Sequence, residues 1–143
     1  MDPGWQEELP RLGSNLPFRG LKSQLYEGGI RTPTVINWKD SLRSGKVEES
    51  VHISDWMPTF SNLLDLKIKD DPKWDGHDIW DLISGNSVPN YSREIYWNFK
   101  AEEGLCIRDG DWKLISSKNE NQIERKLELF NICEDPFESD DIS

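Results

Sequence analysis

Cysteine, histidine and cationic charge are all scarce in this chain. Only two cysteines and two histidines occur in 143 residues. Cys106 and Cys133 lack the CxxC spacing and the neighbouring His pair of a zinc site. They could pair across neighbouring strands in an exported protein, or stand as two buried thiols. The net charge of -10 argues against nucleic acid as a partner, because phosphate binding needs a cationic surface. Apolar residues make up 35% of the chain, mean hydropathy is -0.73, and they fall in short clusters. No stretch reaches the roughly 20 residues of a membrane-spanning helix. The start, Met1-Asp2-Pro3-Gly4-Trp5, has no basic region followed by an apolar stretch, so no signal peptide is expected.

What is present is unevenly spread. Residues 1–46 hold seven Lys/Arg against five Asp/Glu, whereas residues 47–143 hold ten against twenty-two. The mildly basic third contains the most informative run of the sequence, from Gly13 to Pro33. Glycines and prolines punctuate it, so it should be an ordered loop with dictated backbone angles. Arg19, Lys22, Glu27 and Arg31 sit within that frame. An ammonium on a fixed loop suits a tetrahedral oxyanion. The acidic remainder reads as solvated surface. Seven tryptophans and five phenylalanines supply large apolar areas to a core that is otherwise modest.

Residues 1–12 are polar and irregular. Thr34 to Trp38 is a short β-prone run after Pro33 and predicts a strand. Ser54-Asp55 offers helix N-cap residues. Trp56, Phe60, Leu63 and Leu64 then recur with helical spacing, predicting a helix over about 55–66 with one apolar face. Pro58 fits because it lies in the first turn. After a charged linker, Asp75 to Asp78 forms a turn, and a short helix over 79–83 stops at Gly85. From Pro89 the pattern becomes β: Glu94–Phe99, Gly104–Arg108, Asp111–Ile115 and Leu127–Ile132 are predicted strands. Asp109-Gly110 is the hairpin signal, with Trp112 and Leu114 on one face of the return strand. Asn90-Tyr91-Ser92 matches a glycosylation sequon by chance. Three regions result: an irregular segment over 1–12, a loop–strand–helix region over 13–88, and a small antiparallel unit over 89–143.

Several motifs stand in a telling order. They are Asn15-x-Pro17-x-Arg19-Gly20-x-Lys22, Glu27-Gly28-Gly29-x-Arg31-x-Pro33, His52-Ile53-Ser54-Asp55-Trp56-Met57-Pro58-Thr59 and Asp75-Gly76-His77-Asp78-Ile79-Trp80. Ile107-Arg108-Asp109-Gly110-Asp111-Trp112-Lys113-Leu114 and Leu129-Phe130-Asn131-Ile132-x-Glu134-Asp135-Pro136-x-Glu138 follow. Together they resemble the C-terminal part of the formylglycine-dependent sulfatases, with wording similar to arylsulfatase B-like members. The resemblance runs from Gly13 to the tail. It implies an α/β fold, a fragment of the alkaline-phosphatase-like architecture: the end of a large mixed sheet plus a small C-terminal antiparallel sheet.

The family cleaves sulfate esters with a formylglycine made from Cys or Ser and with a calcium ion held by Asp and Asn oxygens. Of its functional groups only Lys22 maps onto this chain, where the matching family lysine contacts sulfate. Arg19, Glu27 and Arg31 are expected to brace the loop, Gly28-Gly29 to serve backbone geometry, His52 to be structural and His77 to lie at the surface. Neither Cys106-Ile-Arg-Asp nor Cys133-Glu-Asp-Pro fits the Cys/Ser-x-Pro/Ala-x-Arg pattern of the nucleophile. The chain alone is therefore expected to be inactive, with no metal ligands and no catalytic residue of its own. Calcium, formylglycine, the sulfate-ester substrate and the missing N-terminal part of the fold are expectations for a full-length parent. Location in a lysosome, periplasm or cell exterior is a family expectation. Two other readings use the same residues: a non-catalytic binding module for sulfated ligands, and a phosphoryl-transfer enzyme of the same superfold.

Overall fold

The computed structural model describes residues 14–69, 72–86, 93–100, 103–118 and 124–143. It divides into two compact units, one built from residues 1–33 and 94–143, the other from residues 34–93.

The first unit is organised by a four-stranded antiparallel meander. Its strands are β1 (Glu94–Phe99), β2 (Gly104–Asp109), β3 (Trp112–Ser117) and β4 (Lys126–Asn131), in the spatial order β1-β2-β3-β4. Asp109 pairs with Trp112, so the two-residue turn is Gly110-Asp111, one position later than Asp109-Gly110. The reason is conformational. Gly110 takes the positive φ of 57° at the first central position, as a type II′ turn requires.

Trp112 and Leu114 do share a face of β3, but it is the solvent-facing one. Lys113 and Ile115 point inward. The inner face carries the core, Cys106, Ile115, Phe130 and Ile132, with Leu25, Tyr26 and Trp97 packed against it. Leu25 and Tyr26 come from the glycine-rich run, so that run is part of this unit's core. The one-turn helix α1 (Glu27–Ile30) follows directly. Beyond β4 the acidic tail folds back: the Ile142 N–H donates to the Leu129 carbonyl, and the Leu129 N–H donates to Asp141 Oδ1. The outer edge of β4 is thereby partly satisfied.

The second unit contains α2 (Trp56–Leu63) and α3 (Trp80–Ser84). The start of α2 differs in detail from the expected Ser54-Asp55 cap. His52 is the capping residue of a 3₁₀ turn over Ile53–Asp55, and Asp55 supplies the reciprocal half of a capping box. The Asp55 carboxylate accepts from the His52 N–H at 2.7 Å and the His77 N–H at 3.0 Å, and it pairs with Arg93. Burial alone would push its pKa up, but the Arg93 guanidinium and the two N–H donors outweigh that and hold it below the usual range. Thr59 accepts from the Ile79 N–H, tying α2 to the approach of α3. Gly85 ends α3 in the left-handed conformation.

One expectation for this unit is corrected. Thr34–Trp38 forms no strand among the described residues, and Val35 is 93% exposed. A β-prone run becomes a strand only when a neighbour completes its hydrogen-bond ladder, and none is described beside it. The helix α2 has the expected apolar face, left uncovered: Thr59 and Ser61 are buried while Phe60 is 47% exposed. Trp56, Phe60 and Leu63 instead line an open groove of about 240 Å³ with Val35, Ile36, Trp38, Trp80 and Ile83.

Candidate functional site

The segment from Arg19 to Gly28 is a closed loop. Its ends are joined by the Gly28 N–H donating to the Arg19 carbonyl at 2.7 Å. Across its tip the Gln24 N–H donates to the Leu21 carbonyl, making Leu21–Gln24 a β-turn. Lys22 occupies its first corner and Ser23 the second, with φ 73°, the left-handed angle a type II turn demands there. A non-glycine residue in that region costs about 1–2 kcal/mol, so the surrounding contacts must impose it. Lys22 is exposed at this corner, and among the described residues no carboxylate pairs with it.

The foot of the loop is braced on two sides. Arg19 donates to the Glu138 carbonyl at 2.9 Å, the Tyr26 hydroxyl at 3.1 Å and Glu128 at 3.2 Å. Its guanidinium stacks 4.0 Å from the Tyr26 ring centroid. Tyr26 in turn donates to Glu128 at 2.7 Å. Burial, with the Glu128 carboxylate beside it, pushes the Tyr26 pKa up to about 12. Burial would raise the Glu128 pKa, but Lys126, the Tyr26 hydroxyl and Arg19 hold it low. Glu128 is thus a fixed anion under the loop.

The second brace is a buried charge cluster. Lys113, at 0% exposure, sits between Glu27 Oε1 at 2.9 Å and Glu138 Oε1 at 2.7 Å. The Glu138 contact is a close ion pair between two fully buried groups. Glu138 Oε2 accepts from the Glu27 N–H at 2.6 Å. Arg31 and Arg108 approach the other Glu27 oxygen at 3.5 and 4.0 Å. Burial raises the Glu138 pKa above its ordinary value, and Lys113 offsets this only in part.

Gly28 and Gly29 are dictated by close approach. A Cβ on Gly28 would lie 2.6 Å from the Arg19 carbonyl oxygen, and one on Gly29 would lie 2.1 Å from that of Gln24. An open cleft of about 650 Å³ borders the loop, lined by residues 14–21 and by Phe137, Glu138 and Ser139.

The structure therefore places Lys22 on a rigid exposed turn and turns Glu27 inward, while the half-buried Arg19 and the exposed Arg31 pair with carboxylates at the loop's foot. His52, half-buried, bonds Ser54 through Nδ1 at 2.9 Å, and His77 is exposed; both belong to the second unit. Cys106 and Cys133 are free thiols, the first buried and the second exposed, so they do not pair and only one of them is buried. Burial pushes the Cys106 thiol up to about 12, making it a poor nucleophile. Asn90 lies outside the described residues.

Lys113 and Glu138 had not been singled out from the sequence as site residues. Lys113 sits in a strand whose neighbours Trp112 and Leu114 are apolar, so alternation reads it as solvent-facing. The inward Glu128 of the adjacent strand stands between Leu127 and Leu129 and is read the same way, so the sequence carries no sign that this face takes charge.

Among the described residues no group of three or more His, Cys, Asp or Glu side chains is arranged to hold a metal ion. The buried carboxylates of Glu27, Asp55, Glu128 and Glu138 are all engaged by cations or N–H donors. These residues do not fit a calcium cage.

Comparison with known proteins decides the family. The model for N-sulphoglucosamine sulphohydrolase, C-terminal, matches residues 21–143. This chain belongs to that sulfatase family. It is the C-terminal portion of a sulfatase, and its sheet and helices are a fragment of the alkaline-phosphatase-like fold.

Mouse arylsulfatase J is 30% identical over 174 residues, covering 92% of this chain and 29% of that protein. An N-acetylgalactosamine-6-O-sulfatase of Bacteroides thetaiotaomicron is 24% identical over 157 residues, covering 100% and 30%. The solved structure described as Ps i-CgsB in complex with k-i-k-neocarrahexaose is similar with a TM-score of 0.76 and 29% identity, covering 91% of this chain and 28% of that one. The chain thus spans under a third of the length of these relatives. No helix among the described residues is long and apolar enough to cross a membrane.

Proposed function

We propose that this chain supplies the sulfate-binding edge of a sulfatase active site, with Lys22 as the group that touches sulfate. The observation that carries the reading is the exposed ammonium at the corner of a turn whose foot is fixed by Arg19, Glu27 and Glu128. Such a charge needs no reorganisation as negative charge builds on the sulfate oxygens, which is how electrostatic preorganisation lowers a barrier. Membership of the sulfatase family supports a formylglycine nucleophile and a calcium ion supplied by the rest of a full-length parent.

The substrate class is a sulfate ester. The relatives of this chain, an arylsulfatase and an N-acetylgalactosamine-6-O-sulfatase, support aryl or sugar sulfates as the first to try. The sheet unit closes a core of its own around the loop, which favours a second reading, a module that binds sulfated ligands without cleaving them.

The test is a sulfatase assembled with this chain as its C-terminal portion, assayed on an aryl sulfate. Lys22→Ala should lower kcat by about 10²–10³-fold, the loss typical of one oxyanion-stabilising group. Unchanged hydrolysis in the variant would contradict the assignment. Binding without turnover in the assembled protein would favour the binding module.

A further inference from the structure

We propose that Lys113 is a positioning residue, whose buried ammonium sets the geometry of the Lys22 loop through Glu27. The role assigned to the loop rests on the sulfate-binding reading; the mechanical coupling itself does not.

Glu27 is held at both ends. Its N–H donates to Glu138 Oε2 at 2.6 Å and its carboxylate meets Lys113 at 2.9 Å. Lys113 lies in β3, the third strand of the meander, and is 0% exposed. Glu27 lies five residues after Lys22 and opens the helical turn whose next residue, Gly28, closes the loop onto Arg19. Displacement of Glu27 therefore displaces one foot of the loop directly. The other foot, Arg19, is fixed through Glu128 and the Glu138 carbonyl. Glu138 thus serves both feet, with its carboxylate on Glu27 and its carbonyl on Arg19.

Stability alone does not call for such a cluster. Burying a lysine and two glutamates carries a desolvation cost, and apolar residues of similar volume are often as stabilising or more so. What an apolar trio lacks is direction. A methionine at position 113 fills the space but fixes neither the orientation of the Glu27 carboxylate nor the main chain behind it. The left-handed Ser23 corner shows that the loop does not rest in its easiest local conformation. Its shape is held at the tip by the Leu21 N–H donating to Gln24 Oε1 and at the foot by the contacts of Glu27.

The experiment is amide hydrogen exchange on the 143-residue chain and on Lys113→Met, followed residue by residue. The Gly28 and Gly29 N–H groups report the loop closure, since they bond the Arg19 and Tyr26 carbonyls. The Ile107 and Leu114 amides, a hydrogen-bonded pair by register, report the β2–β3 ladder. Charge-free methionine should speed exchange at Gly28 and Gly29 by about tenfold more than at the ladder, marking a local opening rather than a global one. Lys113→Arg, which restores a cation, should return much of the protection. Equal acceleration at both places, or none at either, would overturn the proposal.

If Lys113→Met does not fold, Glu27→Gln takes its place with the same amides and criterion. Loss of the folded sheet in that variant too would make the cluster merely structural and overturn the proposal. A second arm adds sodium sulfate and follows the Lys22 amide shift. Failure of the unaltered chain to respond would count against the sulfate reading, while the exchange arm would still decide the positioning role.

Discussion

Glu138 combines a left-handed backbone, φ 55°, with a fully buried side chain, and its carboxylate is the least comfortable charge of the loop's foot. Burial raises its pKa from the ordinary 4.5, with Lys113 and the Glu27 N–H pulling the other way. The folded chain therefore holds that proton more tightly than the unfolded chain does. By linkage this contribution is fully present below the unfolded pKa and is lost as the pH rises through the raised folded value. Denaturation midpoints measured from pH 4.5 toward neutrality should fall more steeply for the unaltered chain than for Glu138→Gln, which has no carboxyl to titrate. Parallel slopes would remove this site from the account. Asp55 runs the other way: its lowered pKa stabilises above the ordinary 3.8 and is lost as the pH falls. The two buried acids thus bound the favourable range from opposite sides.

The elements were legible in the sequence to the extent that their determinants are local. β1 to β4 follow from alternation and turn residues, and α3 from its stop at Gly85. The Asp109-Gly110 signal located the hairpin, but the positive φ requirement moved the turn by one residue. Thr34–Trp38 was misread because a strand is a property of a pair, and propensity reports only one partner. The apolar face of α2 was legible from its helical periodicity, which reports which side is apolar and not which side is covered.

Within the candidate site, Lys22, Arg19, Glu27 and the glycine pair stood out because they share one short run. The Lys113–Glu27 contact joins residues 86 positions apart and leaves no local pattern. At this scale Gly29→Ala is the sharpest test of the loop. A Cβ 2.1 Å from the Gln24 carbonyl oxygen cannot be relieved by rotating a side chain, so the backbone of the turn must shift. A loss of about 3 kcal/mol in urea unfolding is expected. A loss under 1 kcal/mol would mean that the close approach does not hold in solution.

At the scale of the whole molecule, the chain is a sulfatase C-terminal portion spanning under a third of its relatives' length. Its two units differ in what they complete. The unit containing the loop closes a core of Cys106, Ile115, Phe130 and Ile132. The unit of α2 and α3 leaves Trp56, Phe60 and Leu63 along an open groove. Polarity follows the same division. The buried Lys113 neutralises Glu27 and Glu138, and the half-buried Arg93 neutralises Asp55, each within its own unit, whereas Lys22 stands exposed at the corner of its turn.

The account's central claim is that this lysine is a preorganised sulfate ligand. The most direct measurement is a heteronuclear NMR titration of the chain with sodium sulfate, read at the Lys22 side chain, with sodium chloride at matched ionic strength as the control. The account predicts a saturable, sulfate-specific shift at Lys22 and its turn neighbours that disappears in Lys22→Ala. A response that chloride reproduces, or one that survives the substitution, would contradict it.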